Sequence, residues 1–413
     1  MTAVEEAVTA AFRTEWGRLV AALIGGLGDW DLAEECAQEA FALAWRTWPR
    51  DGLPDRPGAW LLTAARRRAV DRLRRERVGA QKLRALAALD IPETGDTVSD
   101  NSIPDDRLRL IFTCCHPALA FEAQVALALR TLTGLSTAEI ARAFGVPEPT
   151  MAKRLVRAKQ KIRDAGIPYR VPPAHLLPER TRAVLGVIYL LFNEGYVASA
   201  GPRLQRADLA AEAQRLAALV VELMPDDPEA GGLNALVLLQ QSRADTRAAA
   251  DGTLIPLEEQ DRTRWDRPLI AAGLAELRRT ARRDRLGPYQ LQAMIAACHV
   301  TAERPEHTDW ARITELYDAL MVQIPSPTVA LNRAIAVAMR SGPEAGLRLL
   351  DELAAAGADR GHLFAATRAD LLRRLGRNRS AAAQYRAALE LTANAGERAY
   401  LTRRLDEVVR SEK

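Results

Sequence analysis

The sequence predicts an all-α protein, on three observations. Ala, Leu, Arg and Glu dominate a composition that is 48% hydrophobic but only 5% aromatic, a balance that favours helices over strands. Apolar residues in the first 165 positions recur at helical spacing. The second half reads as pairs of helices ending at Pro and Gly. At 413 residues the chain is long for one core of about 150 residues, so two to four domains are expected. The longest apolar run, Ala183 to Phe192, stops at Asn193 and Glu194, short of the roughly 20 residues that cross a bilayer. Glu5 and Glu6, with no basic n-region, do not resemble a signal peptide. Cys36, Cys114, Cys115 and Cys298 form no disulfide framework, so a reducing, cytoplasmic setting is expected.

The first segment, residues 1–78, has two helices of opposite charge. Asp29, Asp31, Glu34, Glu35 and Glu39 precede any base until Arg46, with Leu32, Phe41 and Trp45 available for an apolar face. Between Arg66 and Arg77 stand Arg66, Arg67, Arg68, Arg72, Arg74, Arg75 and Arg77 against Asp71 and Glu76. There Leu62, Ala65, Ala69 and Leu73 keep helical spacing on one side, while Arg68, Arg72 and Arg75 form another stripe. Guanidinium groups along a helix edge suit phosphates and guanine edges, so nucleic acid is the leading partner. Trp60 reads first as a core residue and second as a platform for an unpaired base.

Residues 79–106 form an expected linker, whose stretch from Asp90 to Asp106 holds six acids and no base. Residues 107–168 follow with a helix-turn-helix pattern. Ser136 and Glu139 make a capping box, Gly145-Val146-Pro147 breaks the helix, and Met151, Leu155, Ala158 and Ile162 mark the buried side of the next one. Lys153, Arg157 and Lys161 lie on the opposite side, flanked by Arg154, which is the layout of a recognition helix.

Together these words resemble bacterial sigma factors of the extracytoplasmic-function type, which keep only sigma regions 2 and 4. The run from Asp29 to Phe41 resembles the region 2 helix that docks on the polymerase clamp. The resemblance implies core-polymerase contacts at Asp31, Glu34, Glu35, Gln38, Glu39, Phe41 and Trp45. Pro57-Gly58-Ala59-Trp60-Leu61-Leu62 and the arginines after it resemble the helix that handles the minus-10 element. Gly134-Leu135-Ser136, Glu139-Ile140-Ala141, Thr150 and Arg154-Leu155 with Arg157-Ala158 resemble region 4, which reads the minus-35 element, implying contacts from Thr150, Lys153, Arg154, Arg157 and Lys161. The family commonly has Asn at the position of Arg67 and a Thr-Val-Lys-Ser-Arg word where this chain has Thr150 to Arg154, so no promoter sequence carries over.

Residues 169–290 are expected to be a helical extension and 291–413 tetratricopeptide-like repeats. Leu371-Leu372, Leu375-Gly376, Ala381, Tyr385 and Ala388-Leu389 resemble the tetratricopeptide word, and Gly342 precedes Gly376 by 34 residues (376 − 342), one period of that repeat. The whole chain resembles a subgroup of these sigma factors with such an extension. Words that carry this are Ile111 to Pro117, Leu190 to Tyr196, Glu259 to Trp265 and Gly287 to Gln292. Such a stack presents a surface for a regulatory protein.

No nucleophile, base and orienter gather in sequence, so no enzyme and no cofactor are expected. Cys114-Cys115-His116 is a poor metal site because neighbours on a helix point about 100° apart. Asn193-Glu194 and Asp261-Arg262 read as caps and ion pairs before they read as a ligand pocket. The alternative function is a stand-alone helix-turn-helix regulator with a repeat-protein sensor.

Overall fold

Helix caps and apolar stripes account for most of the architecture. A computed structural model of the chain describes residues 3–75, 102–144, 146–198, 201, 203–280, 286–358 and 361–411. Among these residues the regular elements are helices, with isolated β-bridges and no strand. They divide into two compact units, 1–190 and 191–413.

The first unit opens with α1 (Ala3–Leu27), α2 (Trp30–Asp51) and α3 (Pro57–Arg75). Asp29 caps α2, its side chain accepting from the Leu32 amide at 3.2 Å. Trp16, Phe12 and Phe41 form one aromatic cluster, with Phe12 centred 5.0 Å from both partners. Leu61, Ala65, Ala69 and Leu73 of α3 are buried, so the predicted stripe packs, with Leu61 taking the deep place expected of Leu62. Next come α4 (Ser102–Cys114), α5 (Phe121–Thr133), α6 (Thr137–Ala143), α7 (Glu148–Asp164) and α8 (Leu177–Tyr196), of which residues 177–190 belong to this unit. The acidic stretch is helical from Ser102 onward. Acids early in a helix complement its dipole, so acidity there does not oppose helix formation. The rest of the expected linker, 79–101, lies outside the described residues.

Regions expected to be separate bodies pack together in this unit. A Cβ added at Gly17 of α1 would sit 2.3 Å from the Leu132 carbonyl oxygen of α5, so the two backbones approach as closely as glycine allows. Trp16 Nε1 donates to Arg130 O at 3.4 Å. Tyr169 Oη lies 2.8 Å from Ala21 O and 3.0 Å from Asp106 O, one hydroxyl shared between α1 and α4.

The second unit continues with α9 (Ala207–Leu223), α10 (Pro228–Gln241), α11 (Arg267–Thr280), α12 (Pro288–Thr301), α13 (Trp310–Gln323), α14 (Pro327–Ser341), α15 (Pro343–Ala355), α16 (His362–Arg374), α17 (Asn378–Leu391) and α18 (Ala395–Arg410). From α12 onward each helix packs on its sequence neighbour, the arrangement of a stacked-helix array. Gly342 and Gly376 both turn the chain at positive φ (92° and 70°). Tyr385, Leu350 and Ala369 lie in the core of the last helices. The irregular segment between α10 and α11 is held against the stack: Glu258 pairs with Arg374 (2.8 Å) and Glu259 with Arg404 (2.5 Å). Buried Asn394 caps α18 and also donates to Ala198 O and Arg203 O, tying the last helix to the first loop of the unit.

Candidate functional site

The capping box forms as its residues predict: Ser136 N donates to Glu139 Oε2 (2.8 Å) and Glu139 N to Ser136 Oγ (3.2 Å). Pro147 then starts α7, whose Met151, Leu155, Ala158 and Ile162 are buried. Thr150, Lys153, Arg157 and Lys161 are exposed. Arg154 is half-covered, its guanidinium 5.6 Å from the centre of the Phe144 ring. None of these four cations makes an ion pair among the described residues, which leaves them available to phosphate.

On α3, Arg67 and Arg74 are exposed, and burial pulls the Arg66 guanidinium below its ordinary pKa. Arg72 pairs with Glu35 of α2 at 2.5 Å and Arg68 lies 3.7 Å from Glu39. Only the backbone of Arg75 is described, and Arg77 lies outside the described residues. A cleft of about 550 Å³ opens beside this face, lined by Trp60, Thr63, Arg67, Arg68 and Asp71. Trp60 meets Trp48 edge-on at 5.5 Å, so one ring packs against the core and borders the cleft.

The acidic face of α2 is not free. Glu34 is buried, with Lys159 Nζ 2.7 Å from its Oε1 and Arg130 Nε 3.3 Å from its Oε2. The Lys159 contact to Glu34 is a charge contact without hydrogen-bond alignment, since its aligned bond runs to Asp31 Oδ1 at 3.0 Å. Arg163 donates to the other Asp31 oxygen at 3.2 Å. Burial alone would raise the Asp31 carboxyl, yet Lys159 and Arg163 hold it below its ordinary value. Its contribution to this contact is therefore present above the ordinary aspartate range and lost as pH falls through the lowered pKa. Glu35, Gln38 and Glu39 remain exposed, Trp45 is half exposed, and Phe41 lies in the aromatic core rather than beside the carboxylates.

Sequence reasoning missed Lys159, Arg163 and Arg130. A signal for Lys159 existed: it stands eight residues after Met151, on the i, i+4, i+7, i+8 stripe that the core occupies. A lysine there must be paired when buried.

Burial pushes the Cys36 thiol up to about 11 and Cys114 up to about 12, and Cys115 also rises. His116 lies in the loop after α4, its Nδ1 accepting from Ala118 N at 3.1 Å. Among the described residues no His, Cys, Asp and Glu groups gather as a metal site would require. Alkylation at neutral pH is expected to label Cys298, the half-buried thiol, and to reach the other three only on unfolding. Peptide mapping after brief iodoacetamide treatment checks this, and equal labelling of Cys114 in the native protein would contradict it.

Comparison with known proteins matches residues 13–78 to Sigma-70 region 2, residues 109–162 to Sigma-70 region 4, and residues 180–281 to a family of unknown function (DUF6596). The chain is 46% identical over 381 residues to an uncharacterized protein of Rhizobium meliloti (strain 1021), covering 91% of this chain and 90% of that one. It is 34% identical over 140 residues to the ECF RNA polymerase sigma factor SigK of Mycobacterium ulcerans (strain Agy99), covering 34% of this chain and 71% of that protein. Against SigK of Mycobacterium bovis (strain BCG / Pasteur 1173P2) the figures are 32% over 139 residues, 33% and 74%. No solved structure matches the chain significantly. Among the described residues no helix is long and apolar enough to cross a membrane.

Proposed function

The chain belongs to the extracytoplasmic-function RNA polymerase sigma factors, and on that premise we propose how its parts divide the work of transcription initiation. The α2 face with Asp31, Glu34, Glu35 and Glu39 docks on core RNA polymerase, α3 and the Trp60 cleft handle the minus-10 element, and α7 reads the minus-35 element. With promoter DNA and core polymerase as its partners, the protein works in the cytoplasm.

One observation shapes the reading: Asp31 and Glu34 are already paired, with Lys159, Arg163 and Arg130. Two of these cations stand on the helix proposed to read DNA. The closed unit is thus a resting form in which region 4 covers half of the docking face, and polymerase binding requires region 4 to leave. Opening exchanges these pairs for polymerase cations and water. The unit 191–413 regulates the sigma portion or holds a protein partner. Removing it should change promoter output while core binding persists, provided the remaining fragment stays helical and monodisperse.

Run-off transcription with purified core polymerase tests the function. A promoter-dependent transcript is expected; its absence from every co-occurring upstream sequence would favour a stand-alone regulator. Within that assay, Lys153→Glu with Arg157→Glu should weaken promoter binding and reduce the salt slope by about one unit for each phosphate no longer held. The fold should persist, because both side chains are exposed. Binding equal to wild type across salt would exclude α7 as the reading helix.

A further inference from the structure

The second unit buries three arginines that form no salt bridge among the described residues, although Glu397 and Glu306 act on Arg247 and Arg262 from beyond ion-pair distance. Arg243, Arg247 and Arg262 are each less than a tenth exposed, at 7%, 5% and 8%, and none forms an ion pair among the described residues. Their donors go to neutral acceptors. Arg262 Nη1 donates to His299 O (2.8 Å) and Ala302 O (2.6 Å). Arg243 donates to the Tyr196 hydroxyl (2.7 Å), and Arg247 stacks on the Tyr196 ring at 3.3 Å. Carbonyls and rings satisfy geometry but do not cancel charge, and a buried unpaired charge is expensive. Arg243 and Arg262 also share the Trp265 indole, at 6.0 and 4.7 Å, and the Nε of each has no partner.

Arg262 opens onto a cavity of about 480 Å³ between the 257–262 turn and helices α12 to α14, within the roughly 300–1,000 Å³ of ordinary ligand sites. Its other walls include His299, Trp310, Ile313, Tyr317 and Met339. Of the two lining carboxylates, Glu258 is paired with Arg374, and the exposed Glu306 acts on Arg262 only through space, without an ion pair. The His299 imidazole is held neutral: burial, then Arg243 and Arg262, lower its pKa to about 3, and its buried Nδ1 has no partner.

We propose that this cavity is a binding site for a small organic acid, its single carboxylate held by Arg262 and its apolar or aromatic body against Trp310, Ile313, Tyr317 and Met339. Nη1 of Arg262 already serves two carbonyls and Nε is buried, so Nη2 is the donor left for a carboxylate, whereas a phosphate would call for more cationic donors than this cavity offers. The site does not depend on the sigma reading.

The test uses the full chain and matched pairs of acid and primary amide: straight-chain acids from butanoate to decanoate, 3-phenylpropanoate, 4-phenylbutanoate and indole-3-acetate. Thermal shift and calorimetry should find at least one acid bound roughly tenfold or more tighter than its amide. Arg262→Gln should abolish that preference, and Trp310→Ala should weaken acid and amide alike. Circular dichroism checks both variants, and Arg262→Lys, which keeps the charge, should retain part of the preference if Arg262→Gln unfolds. No acid exceeding its amide, or a preference that survives Arg262→Gln, overturns the proposal.

Discussion

Replacing Lys159 with Ala is expected to tighten binding of the full chain to core RNA polymerase by up to about 100-fold. Lys159 and Glu34 are both nearly buried, with side chains 10% and 7% exposed. Removing one member of a buried pair costs about 3–5 kcal/mol. The lower end applies here, because Arg130 stays 3.3 Å from Glu34. The open form, in which Glu34 is hydrated, bears no such cost, so the whole penalty falls on the closed form. About 3 kcal/mol then moves the equilibrium about two powers of ten toward the form that binds. Gly17→Ala reaches the same end without touching a charge, because its Cβ would meet the Leu132 carbonyl at 2.3 Å. Titrating labelled core polymerase with each variant checks both, and unchanged or weaker affinity in a folded variant would count against closure as the resting form.

Glu35→Lys combined with Glu39→Lys should have the opposite outcome, a loss of core association of about 100-fold or more, since like charges facing across an interface cost several kcal/mol. These two acids are the informative pair because they are about half exposed, at 53% and 49%. Their contacts with Arg72 and Arg68 are surface pairs worth about 0–1 kcal/mol each, so the melting temperature should barely move. Reversing Glu34 as well would bury a third cation beside Lys159 and Arg130 and confuse unfolding with lost docking. Retained co-purification of the folded double variant with core polymerase would remove α2 from the interface.

Local chemistry was readable in the sequence and distant pairing was not. The Ser136–Glu139 box, the Gly-Pro break and the buried side of α7 span fewer than thirty residues, and their periodicity is their geometry. Glu34 meets Arg130 across 96 positions and Asp31 meets Lys159 across 128, distances at which no spacing rule operates. Six cations in one run look alike by charge count, yet the wheel position of Lys159 separates it from Lys153. Arg262 carried the reverse ambiguity: beside Asp261 and among acids it read as half of an ion pair, whereas Asp261 caps the turn through the Thr263 amide and Arg262 faces inward. Gly17 carries no signal at all until the helix it touches is known.

The distance between region 2 and region 4, measured by spin labels with and without core polymerase, bears most directly on the closed resting form. Leu53 and Val156 are exposed, and Cys labels there, with Cys298→Ser, leave the buried thiols unlabelled. The expected result is one short, narrow distribution for the free chain, a long one once core polymerase is bound, and a partial shift in free Lys159→Ala. An unchanged short distribution in the polymerase complex would contradict opening as the step that exposes the docking face.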